Sequence, residues 1–194
     1  MKKLIVLLAA VVVMTGCASA VRKNSLIDKK YSDISIAAKE VAALTAIQRG
    51  QSVNIKIGNS SPSISHGKAV GKFESAEISP TSAGDFRILI SGICDCLGFR
   101  KRSAVPITYL LNENGKVIAE GTFLTPDSQL LAGKFPAAGK YKVLVVADST
   151  TEGRYLSDVS GMLIYSGLPI STFSLPLRSH PTGVIGVKWD DKSS

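Results

Sequence analysis

The chain has 194 residues and a formal charge of +8, with 45% hydrophobic, 20% charged and 6% aromatic residues. That is one domain's worth of sequence, long enough to bury a true core. The low aromatic content weighs against a sugar-binding surface built on aromatic platforms, and the basic residues are spread along the chain, as solubility requires, rather than massed against one anionic ligand.

In chain order, Lys2 and Lys3 precede an unbroken apolar run from Leu4 to Val13, and Met14, Thr15 and Gly16 bring small residues up to Cys17. A basic start, a short apolar stretch and a small-residue end describe a secretory signal peptide over residues 1–16. The run falls short of the ~20 residues needed to span a bilayer. Met14-Thr15-Gly16-Cys17 resembles the lipobox of bacterial lipoproteins. That resemblance implies a diacylglycerol on the Cys17 thiol, cleavage before Cys17 and acylation of the freed amine. Two or three acyl chains hold a membrane firmly where one does not. Ala18, in place of Asp, directs such a lipoprotein to the outer membrane by the Gram-negative sorting pattern, here on the periplasmic face. An exported basic protein meets lipid headgroups or anionic envelope polymers, and nucleic acid is not expected as a partner.

Residues 17–30 are small, polar and charged, a lipidated tether. Across residues 31–49, Ile34, Ala37, Ala38, Val41, Leu44, Ala46 and Ile47 recur at helical spacing, with Ser32 or Asp33 to cap the start and Gly50 to end it, and an amphipathic helix is predicted there. From residue 50 to 194 the texture becomes short alternating runs. SVNIKI, AVGKFESAEI and DFRILISGI are strand candidates, VPITYLL and KVIAEGTFL flank the hairpin signal NENG, and QLLAGKF and KYKVLVVA flank PAAG. GMLIYSG and GVIGVKW close the series. About eight or nine strands with no βαβ alternation predict an antiparallel β-sandwich, jelly-roll-like, after one short α-helix. Pro106 inside an apolar run points to a strand edge or a bulge.

ITYLLNENGKVIAEG followed by LLAGKFPAAGKYKVLVV resembles the pre-peptidase C-terminal type of β-sandwich. NSSPSISHGKAVGKFESAEIS followed by FRILISG is similar to the maltose-operon periplasmic protein family. Both resemblances imply an exported β-sandwich, and neither implies a catalytic residue.

Few residues stand out chemically. With Cys17 lipidated, Cys94 and Cys96 form an even pair. A local disulfide there needs a bend or bulge to bring the α-carbons together, and so small a ring stabilises by no more than about 1.5 kcal/mol. A redox pair or a thiolate metal site is the alternative, although no histidine lies at ligand spacing. Arg100, Lys101 and Arg102 form the tightest basic cluster, expected at a loop tip that could meet an anion or a partner. His66 and His180 are expected as solvated loop residues, and Trp189 in the core or at a sandwich edge. Residues 171–183, STFSLPLRSHPTG, are expected as a partner-binding loop or a connection between strands. There is no G-x-S-x-G elbow, phosphate loop, HExxH or EF-hand motif. No cofactor, metal or catalytic residue is assigned. The sequence therefore points to a lipid-anchored envelope module that binds or assembles with another envelope protein. An envelope-polymer hydrolase using His66 or His180 and a metal or redox sensor using Cys94 and Cys96 are the rivals.

Overall fold

The computed structural model describes residues 29–96, 101–166 and 168–190. The leader, Cys17, most of the tether and Arg100 lie outside the described residues. Among those residues the elements are β1 (Lys30–Tyr31), α1 (Ile34–Glu40), β2 (Thr45–Ile47), β3 (Ser52–Ile57), β4 (Ser63–His66), β5 (Ala69–Ile78), β6 (Gly84–Ile93), β7 (Lys101–Ser103), β8 (Pro106–Asn112), β9 (Val117–Glu120), β10 (Thr122–Thr125), β11 (Ser128–Phe135), β12 (Tyr141–Asp148), β13 (Tyr155–Tyr165), β14 (Leu168–Ser179) and β15 (Gly183–Trp189).

Alternation along the strands builds two facing sheets. One runs β1-β4-β5-β12-β8-β9 with β2 beside β5, and the other runs β10-β11-β6-β15-β3. The core between them takes Ile55 and Ile57 from β3, Phe86, Ile88 and Ile90 from β6, Val143 and Val145 from β12, and Ile185 and Val187 from β15. The outward residues of the five-stranded sheet, among them Lys56, Arg87 and Lys188, are exposed. The seven-stranded sheet is covered on both faces. Leu144 and Val146, which alternate with the sandwich-facing valines of β12, pack with Phe73, Ile107 and Leu111 against Ile34, Ala37 and Ala38 of α1. A strand buried on both sides has no polar face, hence the near-continuous apolar run of β12. The mainly β, sandwich-like architecture is the one expected. It holds more strands than the expected eight or nine because β1, β2, β4, β7 and β10 are only two to four residues long and carry no pattern of their own.

The helix is shorter than its sequence pattern. Asp33 caps it, accepting from Ser35 N (2.6 Å) and Ile36 N (3.2 Å), but it ends at extended Val41. The Lys142 ammonium donates to the Ala38 and Val41 carbonyls and satisfies the last turn. Thr45–Ile47 instead pairs in parallel with Ala76–Ile78 on a stretch of β5 that β4 leaves open, and Ile47 enters the sandwich core. The expected helix over residues 31–49 is thus corrected to a helix of 7 residues followed by an edge strand.

The NENG hairpin forms as read, with Asn112 Oδ1 accepting from Lys116 N at 2.9 Å and Gly115 at φ 78°. Pro106 opens β8, paired to Ala147 on one side, while β9 joins the other side only from Tyr109 onward. Its missing N–H therefore falls where no neighbour needs it.

Candidate functional site: a bridged basic corner and an apolar groove

β6 ends at Ile93, and the chain then tightens. Two residues of extended strand span about 6.6 Å, whereas the Cys94 and Cys96 α-carbons are 5.1 Å apart and the two side chains are joined as a disulfide. Between them, Asp95 makes an antiparallel bridge to Arg102, with N···O distances of 2.7 and 3.3 Å. This return places Lys101 and Arg102 in β7, parallel to Leu177–Ser179 of β14, and not at the expected loop tip. Lys101 is 8% exposed, and its ammonium donates to the Cys96 carbonyl. Its aliphatic stem can lie against the body while the charged head finds an oxygen. Beneath the corner, Cys94 and Val159 pack on Val105, Leu156 and Leu177. Sulfurs joined to each other are not thiolate ligands, and among the described residues no three His, Cys, Asp or Glu side chains converge.

Arg102 Nη1 donates to His180 Nε2 at 3.1 Å. A guanidinium only donates, so Nε2 accepts, while Nδ1 faces Thr182, 3.0 Å from its hydroxyl and 3.1 Å from its carbonyl oxygen. His180 is half-buried in this contact, which corrects the expectation of a solvated loop. The strand register brings it there: His180 N donates to Ser103 O at 2.9 Å directly after β14. His66 is exposed at the end of β4, with Nδ1 2.9 Å from the Ser32 carbonyl oxygen. The nearby Asp33 carboxylate is engaged by the helix N–H groups, which hold its pKa below the usual carboxylate range. The structure therefore seats one histidine on an arginine and the other on a carbonyl. Trp189 is core, 5% exposed and edge-on to Phe135 at 5.8 Å.

The segment read as one strand, KVIAEGTFL, is two. β9 belongs to the seven-stranded sheet and β10 to the five-stranded one, and Gly121 lies at the crossing. A Cβ there would stand 2.2 Å from both Gln129 Oε1 and Thr108 Oγ1, so only glycine fits. The crossing exposes β10 along its whole length, with Phe123 50% and Leu124 56% accessible. β10 pairs β11 on one side and forms the end of its sheet on the other. Between β10 and the start of β13 lies a groove of about 680 Å³. Phe123, Leu124, Val105, Ile107, Val70 and Leu156 line it, and Lys68, Arg154 and Asp148 supply its charges. Asp148 accepts from Thr150 N (2.9 Å) and Thr150 Oγ1 (2.7 Å). Its volume and mainly apolar lining with a few polar groups suit a binding site. The glycine within KVIAEGTFL was the one signal of this break in the sequence.

Residues 171–183 are not a connection. They form β14 as far as Ser179, paired with β13. Pro176 lies just before the part of β14 that β7 joins, opposite Asp158 of β13.

No family model matches the chain, and no curated protein matches it. Among solved structures, it is similar to the pre-peptidase C-terminal domain of a collagenase from Bacillus anthracis, at 12% identity and a TM-score of 0.40, over 76% of this chain and 96% of that one.

Proposed function

We propose that the protein is a lipid-anchored lipoprotein of the outer membrane, periplasm-facing, whose β-sandwich serves as a non-catalytic binding or assembly module. The address rests on the Lys2-to-Cys17 leader. The binding role is supported above all by β10, a sheet-edge strand presenting Phe123 and Leu124 over an apolar groove. A free edge offers unpaired N–H and C=O groups to an extended segment, and the groove offers pockets for alternate side chains, the requirements of strand addition. The expected partner is an extended apolar segment of another envelope protein.

Cross-linking in intact cells followed by recovery from membranes tests the binding arm. Leu124→Asp should abolish the cross-linked product while leaving the unfolding midpoint unchanged. A product of undiminished yield, or no protein partner at all, overturns this reading. Cys17→Ala should release the protein from the membrane fraction, and an unchanged fraction removes the address.

A further inference from the structure

The Cys94–Cys96 bridge and the apolar groove share a wall. Cys94 packs with Val105, Leu156 and Leu177, and Val105 and Leu156 also line the groove beside Phe123 and Leu124. A chain of hydrogen bonds runs the same way. Asp95 exchanges two backbone bonds with Arg102, and the Lys101 ammonium holds the Cys96 carbonyl. β7 then leads through Ala104 into Val105, whose carbonyl accepts from Asp148 N at 2.9 Å. Asp148 lines the groove as well. Packed side chains and hydrogen bonds of this kind carry coupling when they have two discrete arrangements.

The bridge supplies the two arrangements. A ring closed over one intervening residue removes little entropy from the unfolded chain, so global stability is a poor reason for it. Its effect is local. It holds the two α-carbons at 5.1 Å, where an extended chain would set them about 6.6 Å apart. Opening it lets the chain after Ile93 relax toward the extended spacing. Cys94, Asp95 and Cys96 then move together, and they carry the packing and hydrogen bonds that reach Val105. The bridge is also within reach of a reagent. Both cysteines are half-buried and not sealed in the core. Cys94 and Asp95 border a second cleft of about 470 Å³, with Ile93 39% exposed on its lining. Accessible disulfides are the ones that exchange with thiols.

We infer that Cys94–Cys96 is a reversible redox switch on the groove: closed, it holds the Val105–Leu156 wall in its binding form, and reduced, it releases that wall. This rests on the groove as the binding site. The reductant is a dithiol of another protein. Its first thiolate attacks the Cys96 sulfur, a mixed disulfide forms, the Cys94–Cys96 bond breaks, and the Cys94 sulfur takes a proton. Its second thiolate closes the donor's own disulfide and displaces Cys96, which is protonated in turn. Two electrons pass to the bridge and the donor is left oxidised.

The test uses the full chain carrying Cys17→Ala, with dithiothreitol as the dithiol. The reagent should reduce the bridge in the folded protein, leaving far-ultraviolet circular dichroism unchanged. Amide exchange at Val105, Ile107 and Leu156 should then accelerate at least tenfold. Exchange at Tyr141–Val143, at the other end of β12, should not, and reoxidation should restore the original rates. Reduction only after denaturation, or unchanged exchange at the groove wall, overturns the inference. In intact cells, Cys94→Ser with Cys96→Ser should lower the yield of the cross-linked product severalfold. An undiminished yield overturns the switch alone, whereas a parent that gives no product removes the binding reading and the switch with it.

Discussion

Thr108 on β8 donates its hydroxyl proton to Gln129 Oε1 on β11 at 2.8 Å, and both residues are 1% exposed. The bond crosses the gap between the two large sheets in an otherwise apolar layer. Thr108→Val should leave Gln129 short of a partner and cost about 1–3 kcal/mol. Thr108→Val with Gln129→Leu should cost less than the sum of the singles. Urea denaturation of all three variants provides the check, and additive losses would refute the coupling.

The same pair limits Gly121. With both oxygens 2.2 Å from a built Cβ, Gly121→Ala must displace the buried Thr108 and Gln129 side chains and break the bond between them, at a cost of about 1–3 kcal/mol. Because β10 begins at the next residue, amide exchange at Thr122–Thr125 should accelerate more than exchange in β12. A variant as stable as the parent would contradict the crowding.

The Cys94–Cys96 bridge is a local clamp. In the Cys17→Ala chain denatured without reductant, neither remaining cysteine should react with a thiol reagent, and both should react after reduction. Replacing both by serine should cost no more than about 1.5 kcal/mol globally. Amide exchange at Lys101–Ser103 should rise disproportionately, because Lys101 bonds the carbonyl of Cys96. Free thiols in the unreduced protein would dismiss the clamp.

Acid should loosen α1 first. Backbone N–H groups of Ile36 and Ser35 lower the Asp33 pKa below its ordinary 3.8. A carboxylate lowered in the folded state adds stability above the unfolded value and loses it as pH falls through the folded one. Glu40, held low by the Lys29 ammonium, follows the same sign. Asp33→Asn keeps an acceptor at the cap without the charge, so the drop in unfolding midpoint from neutral pH to about pH 3 should be smaller in that variant than in the parent. Equal drops would show that Asp33 does not contribute to the acid response.

Most of the sandwich was legible wherever one face met water. In β3, β6 and β15 outward positions alternate with core residues, and a period of two fixes both element and face. Where a strand was too short to show a period, local pattern misled. Thr45–Ile47 extends the helical spacing of residues 34–41, and only the open edge of β5, absent from any local window, turns it into strand. Lys101 and Arg102 looked like a solvated tip because charge is usually exposed, yet a carbonyl and an imidazole waited for them across the fold. The groove could not be read at all. It joins Val70, Val105, Phe123 and Leu156, residues from segments far apart in sequence.

The pairing of β1 has a mechanical consequence. Lys30 and Tyr31 lie beside Ser63 and Ile64 of β4, Tyr31 is wedged edge-on to Phe73 at 5.7 Å, and Lys29 contacts the carboxylate of Glu40 on α1. Tension applied upstream of residue 29 would load β1 first and then peel away α1. The outer flank of Phe73, Leu144 and Val146 would be bared while the two large sheets stayed closed on each other. A tethered copy under strain would thus display a sticky hydrophobic flank long before it lost its sandwich.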